Sequence, residues 1–324
     1  MSTATVDWNV RAEQAHSTLI ELYLRPRGLP GLGRLRSPPS SLDDRFSASY
    51  WWQAQLLDAL VDAQQRAPSV AGARRIRSLM FGQWLANHGT MRRDYYDDMC
   101  WMALALLRAG RRRAATRLWD AIRAGWNEQH GGGIPWRVQQ PYYKNTPSNG
   151  PAAILAARLG DDRWATRIVD FMEAVLIDTA TGEVLDGIDR KGDGLPDERQ
   201  FSYNYGVALG AELAVGRRAV AERIAATGIA RCAPDGSLRS EGDGDGSLFK
   251  GILARNLVDI GTDDARSTVL ATAEAFWANR DPAGRFGLDP LTPPDGPVQL
   301  GAMVAGVIVV EMAARIERES ERQE

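Results

Sequence analysis

Lysine is almost missing: Lys144, Lys191 and Lys250 are the only three in 324 residues. Arginine carries nearly all the positive charge, and 39 basic residues stand against 41 acidic ones for a net charge of −2. That balance leaves no basic surplus for a nucleic-acid partner. Histidine is as scarce, with His16, His88 and His130 alone. A mechanism built on a histidine acid and base is therefore not expected. The two cysteines, Cys100 and Cys232, lack the spacing of a zinc site or a disulfide framework. No metal or cofactor is expected. No apolar run reaches the roughly 20 residues of a membrane span. The first residues, MSTATVDWNV, have no basic stretch leading into an apolar one. The expectation is a cytoplasmic monomer without a membrane span, unless the start hides an export signal.

Strand signals are scarce too. What fills the chain is helical periodicity, broken by Gly, Pro and Asp clusters. It predicts about twelve helices, near 6–24, 45–66, 72–87, 96–109, 113–126, 148–160, 162–176, 203–215, 217–231, 247–260, 264–279 and 298–318. They are of two kinds. One kind is poor in charge and follows a motif-rich loop, as in YYDDMCWMALALL and FSYNYGVALGAEL; the other follows a short turn and is charged, as in RRAATRLWDAIRAGW. The motif loops recur about every 46 to 55 residues, near 51, 97, 148, 203, 249 and 299. A period of that length is one helical hairpin plus a loop. Apolar inner helices favour a closed ring over an open solenoid. The predicted fold is an all-α (α/α)6 barrel with inner and outer rings, a single domain over 1–324, with 319–324 as a frayed tail. The loops before the inner helices then meet at one end.

Asp97 and Asp98 stand side by side in RRDYYDDMCWMALAL. Asp is a favoured helix cap, and Asp43-Asp44, Asp161-Asp162 and Asp263-Asp264 also precede predicted helices. Those three pairs sit in polar surroundings. Asp97-Asp98 lies among Tyr95, Tyr96 and Trp101 at the start of an inner helix, where burial of carboxylates costs free energy. Two carboxylates are what glycoside hydrolysis needs, one as nucleophile or base and one as proton donor. The residues themselves leave open which is which. Trp51, Trp52, Trp101, Trp136, Tyr142, Tyr143 and Tyr203 lie in or beside the motif loops, where aromatic faces pack on the C–H faces of sugars. Trp84, Trp119, Trp126, Trp164 and Trp277 lie on charged helices and are assigned to core packing. In HGGGIPWRVQQPYYKNTPSNGP, Lys144, Asn145, Ser148 and Asn149 have groups for sugar hydroxyls, or for capping the helix that follows. Asp189, Asp193 and Gly194 faintly echo a calcium loop but depart from it at Lys191 and Gln200. Asp186-Gly187 reads as well as a turn, EGDGDGS at 241–247 as a flexible loop, and Arg111-Arg112-Arg113 as a solvated turn.

YYDDMCWMALALLRAG, GGGIPW, YKNTPSNGPAAILAARLG, FSYNYGVALGA and FKGILARNL, in this order and spacing, resemble glycoside hydrolase family 76, the α-1,6-mannanase family, over roughly residues 45 to 280. The resemblance implies an (α/α)6 barrel and a retaining mechanism on α-1,6-linked mannan or manno-oligosaccharides. It implies Asp97 as nucleophile and Asp98 as acid/base. It places Trp51, Trp52, Tyr96, Trp101, Trp136, Lys144, Asn145, Asn149, Asp186, Tyr203 and Asn204 about the mannose subsites, with Glu241, Phe249 and Lys250 bordering the cleft. The expected function is an endo-acting α-1,6-mannanase. A transglycosidase of the same family, an epimerase or uronide hydrolase on the same barrel, and a non-catalytic glycan-binding barrel are the alternatives.

Overall fold

The computed structural model describes residues 7–24, 31–39 and 49–322. Twelve α-helices run through them: α1 (Trp8–Tyr23), α2 (Tyr50–Arg66), α3 (Val70–Ala86), α4 (Tyr96–Arg108), α5 (Arg112–Arg123), α6 (Thr146–Leu159), α7 (Asp162–Val175), α8 (Ser202–Ala214), α9 (Arg218–Cys232), α10 (Gly246–Ile260), α11 (Asp263–Ala278) and α12 (Leu300–Glu321). Helices α2, α4, α6, α8, α10 and α12 each pack on the next, and α12 packs back on α2, so the inner ring closes. The other six lie outside it. This is the predicted (α/α)6 barrel. The start predicted at 45 for the second helix, and the Asp43-Asp44 pair, lie outside the described residues. The tail predicted from 319 is helical to Glu321, and its residues 323–324 lie outside the described residues.

Burial separates the rings by sequence. Every residue of α12 from Leu300 to Ala314 is buried, as an inner helix covered on all sides requires. The outer α5 buries only Ala115, Leu118, Trp119 and Ile122, one stripe at helical spacing. Inner helices touch backbone to backbone at small residues. A Cβ on Gly206 of α8 would lie 2.9 Å from the Cα of Leu253 on α10.

The sixth pair joins the two ends of the described chain. Among the described residues, α1 from near the other end of the chain packs on α12. Glu317 on α12 accepts the free amides of Trp8 (3.1 Å) and Asn9 (3.3 Å) and the Asn9 side-chain amide (2.8 Å). A carboxylate there also suits the positive end of the α1 dipole. Short strands join the same ends, with β1 (Arg36–Ser37) antiparallel to β6 (Val298–Gln299).

The bottom of the ring is closed by buried charge. Arg108, at the end of α4, reaches Asp58 and Asp62 of α2 at 2.5 Å each. Arg255 of α10 reaches the same two carboxylates at 3.2 and 2.7 Å. A cavity of about 270 Å³ lies over this network, with Trp101 between it and the open mouth.

Strands unsigned in the sequence dress the mouth. β2 (Pro135–Arg137), β3 (Gln140–Asn145), β4 (Gly187–Ile188) and β5 (Pro196–Asp197) form one antiparallel sheet in that order. Gly187 sits opposite Asn145, and a Cβ there would lie 2.5 Å from the Lys144 carbonyl, so only glycine lets β4 pair.

Candidate active site

Asp97 and Asp98 occupy the first turn of α4, but neither is its cap; that position is Tyr95. One oxygen of Asp97 accepts the Asp98 amide (2.8 Å), and the other accepts the Trp136 indole N–H (3.0 Å). Trp136 comes from β2, so the hairpin of the mouth sheet fixes this carboxylate. Among the described residues, the Asp98 carboxyl accepts no hydrogen bond, and it opens on the cleft. Burial raises the Asp97 pKa, as does the Asp98 charge, while its two donors oppose the rise. Burial pushes Asp98 up to about 7, opposed by Arg93 and assisted by Asp245. Both carboxyls are raised by burial, so the pair retains a proton near neutral pH, and the two donors on Asp97 hold its carboxylate in place.

The cleft over the pair is about 630 Å³ and open at the mouth. Its walls are aromatic. In one cluster Tyr203 stacks on Phe249 with ring centres 3.9 Å apart, and Trp51 and Phe201 meet the same Phe249. In a second, Trp136 meets Tyr95 and Tyr143 edge to face, at 5.2 and 6.0 Å. Trp101 lines the cleft from α4. Faces of this size suit apolar sugar faces, with polar groups between them for hydroxyls.

Asp186, just before β4, is the buried polar hub. It accepts the Tyr143 hydroxyl (2.7 Å), the Arg199 guanidinium (2.8 Å) and the Asn204 amide (3.1 Å). Asn145 lines the cleft beside it, and its Oδ1 is buried with no protein partner among the described residues. A substrate hydroxyl is the kind of group that satisfies such an atom. Glu241 lines the cleft but also accepts the Ser202 amide at 2.8 Å, which satisfies the first turn of α8.

Ten of the predicted residues therefore meet at one cleft: Asp97, Asp98, Trp51, Trp101, Trp136, Asn145, Asp186, Tyr203, Glu241 and Phe249. Six do not line it. Lys144 is fully buried, and its ammonium donates to the Gly133 carbonyl (2.9 Å), holding the glycine loop; burial brings its pKa down to about 7. Lys250 is buried in α10, with its ammonium 3.5 Å from the Ser247 carbonyl. Asn149 clamps Ile134 through both its amide and its carbonyl (2.8 and 2.9 Å). Asn204 is buried behind Asp186. Tyr96 packs over Gly125, where a Cβ would lie 2.4 Å from the ring. Trp52 is buried and donates its indole N–H to Asp245 (3.0 Å).

Asp245 is the residue sequence reasoning missed. The same oxygen accepts the Trp51 indole at 2.8 Å, so one carboxylate fixes two tryptophans, and its charge raises both Asp97 and Asp98. Its signal was positional: it precedes inner helix α10, as the Asp97 loop precedes α4. Arg190, Arg199, Phe201 and Asp243 line the cleft and were not anticipated either. Asp189 and Asp193, the faint calcium echo, accept the amides of Gly194 (2.7 Å) and Leu195 (3.1 Å), and Asp189 also holds His130 at 2.9 Å. They are loop staples in this structure.

Residues 8–314 match Glycosyl hydrolase family 76. No curated protein matches the chain. Among solved structures, the Lin0763 protein from Listeria innocua is 31% identical with a TM-score of 0.91, over 97% of this chain and 99% of that one. The GH76A α-1,6-mannanase from Salegentibacter sp. HEL1_6 is 30% identical with a TM-score of 0.88, over 96% and 100%. An inactive variant of that enzyme, with two consecutive aspartates changed to asparagine, was solved with α-1,6-mannotriose; it is 29% identical with a TM-score of 0.89, over 96% and 100%.

Proposed function

Because the chain belongs to glycosyl hydrolase family 76, and is thereby a glycoside hydrolase, we propose that it is an endo-acting, retaining α-1,6-mannanase. The observation that carries this reading is the carboxylate pair at the start of α4, one member fixed by two donors and the other free to the cleft. Asp97 attacks the anomeric carbon while Asp98 protonates the departing glycosidic oxygen, giving a mannosyl-enzyme ester. Asp98, now a carboxylate, takes a proton from water, and the water oxygen displaces Asp97. The aromatic clusters of Trp51, Phe249 and Tyr203 and of Trp136, Tyr95 and Tyr143 offer sugar platforms in the same open cleft as the pair, which suits a chain longer than one sugar. The mannotriose-bound relative, silenced at two adjacent aspartates, supports the linkage and the pair.

The test is product release from linear α-1,6-manno-oligosaccharides. Internal cuts are expected, and proton NMR should find the first-formed reducing end in the α configuration. A β product first would sink the retaining mechanism, and mannose released singly from one end would sink the endo reading. Intact substrate would sink the linkage. Longer products with an added acceptor sugar would point to transglycosylation.

Asp245 gives a second expected result. Its charge disfavours ionisation of Asp98, so removing it lowers the Asp98 pKa. Activity that needs protonated Asp98 falls as pH rises past about 7. Asp245→Asn should shift that alkaline limb of kcat/KM to lower pH. An unmoved limb would show that Asp245 acts only on the tryptophans.

A further inference from the structure

The outer wall carries a face that the cleft does not use. Trp84, assigned to the core by its helix, is 42% exposed, and it stacks with Phe81, which is 53% exposed. They continue an exposed stripe of α3 that reads Val70, Arg74, Arg77, Phe81, Trp84 at spacings of four and three, over about 21 Å of helix. Beside them, between α3 and α5, lies a groove of about 470 Å³ walled by Met91, Arg92, Arg111 and Arg117.

Some exposed arginines elsewhere rest on carboxylates, as Arg167 does on Glu128 and Arg231 on Glu183, while others, such as Arg163 and Arg239, have no carboxylate partner among the described residues. What sets this face apart is that unpaired arginine adjoins exposed Trp and Phe. Among the described residues, Arg74, Arg77, Arg92, Arg111 and Arg117 have no carboxylate partner. The near-zero net charge of the chain conceals this local excess.

We propose that the α3–α5 face is a peripheral docking surface for an anionic lipid membrane. A stripe that mixes Trp, Phe and Val with unpaired arginine is the pattern of a helix lying in a headgroup layer. The tryptophan suits the boundary, and the guanidinium groups suit lipid phosphates. A second copy of the chain would set these arginines against themselves across a twofold axis. No helix among the described residues is long and apolar enough to cross a membrane, so the contact is from one side. Residues 89–95 run from the end of α3 to Tyr95 on the rim of the cleft. Docking by this face sets the cleft mouth beside the headgroups.

The test is flotation with large unilamellar vesicles and needs no glycan, so it is independent of the substrate reading. Vesicles of phosphatidylcholine with roughly a third phosphatidylglycerol should carry the protein at low salt, and phosphatidylcholine alone should not. Binding should weaken as salt rises. The triple change Arg77→Gln, Arg111→Gln, Arg117→Gln should weaken it at least about tenfold. Phe81→Ser with Trp84→Ser should do the same, by about tenfold, with an unchanged melting temperature. No flotation on the anionic vesicles would overturn the proposal. So would binding that survives the aromatic change, or equal capture on soluble polyglutamate, which would assign the face to an acidic protein segment.

Discussion

Asp98→Asn should lower turnover of α-1,6-manno-oligosaccharides by at least about a hundredfold, and Asp97→Asn by as much or more. The two losses should differ in kind. Without the acid, the first step depends on the leaving group, so an activated aryl mannoside should recover much of the rate in Asp98→Ala. Added azide should then capture the mannosyl-enzyme and give the α-azide. In Asp97→Ala no ester forms, and azide attacking the anomeric carbon from the vacated side should give the β-azide. Swapped products would reverse the roles assigned to the pair. Unfolding is no rival explanation if stability is read at the same time. Both carboxyls are raised in the fold, so their ionised forms destabilise it at neutral pH. Asparagine removes that cost, and each variant should melt above the wild type while losing its activity. A lower melting temperature for both would mean that the pair supports the barrel rather than straining it.

Asp62→Ala should cost about 3–5 kcal/mol in urea unfolding, the range for breaking a buried charge network from one side. Asp62 is the shared partner: Arg108 and Arg255 both reach it, at 2.5 and 2.7 Å, and its side chain is 5% exposed. Alanine leaves two largely buried guanidinium groups with Asp58 as their one shared carboxylate. The effect has a pH signature. Burial would raise the Asp62 pKa, but Arg255 and Arg108 outweigh it and bring the value from an ordinary 3.8 to about 2. Its contribution is therefore complete above pH 3.8 and is lost as the pH falls through about 2. The wild type should lose stability across that window, and Asp62→Ala should lose less there. A cost below about 1 kcal/mol would place the network in the class of exposed pairs.

The ring was legible because its signal is long. An inner helix must be apolar on all sides and an outer one on a single stripe, and that contrast recurs once per hairpin. Where both ends of a predicted helix fall on described residues, the boundaries agree within three residues. The mouth sheet was not legible, since β4 and β5 are two residues each and show no alternation. Within the site, Asp97-Asp98 stood out because acids among aromatics are unexpected. The Asp161 pair, in polar surroundings, sits at the start of the outer α7 without a side-chain capping bond, and Asp161 takes the Trp119 indole. Lys144, Lys250 and Asn149 were misplaced for one reason. Their head groups satisfy backbone carbonyls, so their long or polar side chains support the loops from behind instead of facing the cleft. Asp245 was lost in EGDGDGS because glycine and aspartate also write flexible loops; only the indoles of Trp51 and Trp52, distant in sequence, make it rigid.

The join between α1 and α12 has a consequence for how the chain is made. Glu317 meets Trp8 across 309 residues, so α1 leaves the ribosome well ahead of the helix that seats it. Until then α2 lacks its neighbour α12 as well, and the apolar faces of an unclosed ring stand open. Local hairpins can assemble one after another as they emerge, but the last step joins residues at opposite ends of the sequence and comes late. Truncation at the C-terminus should therefore release both ends of the barrel at once, not fray one.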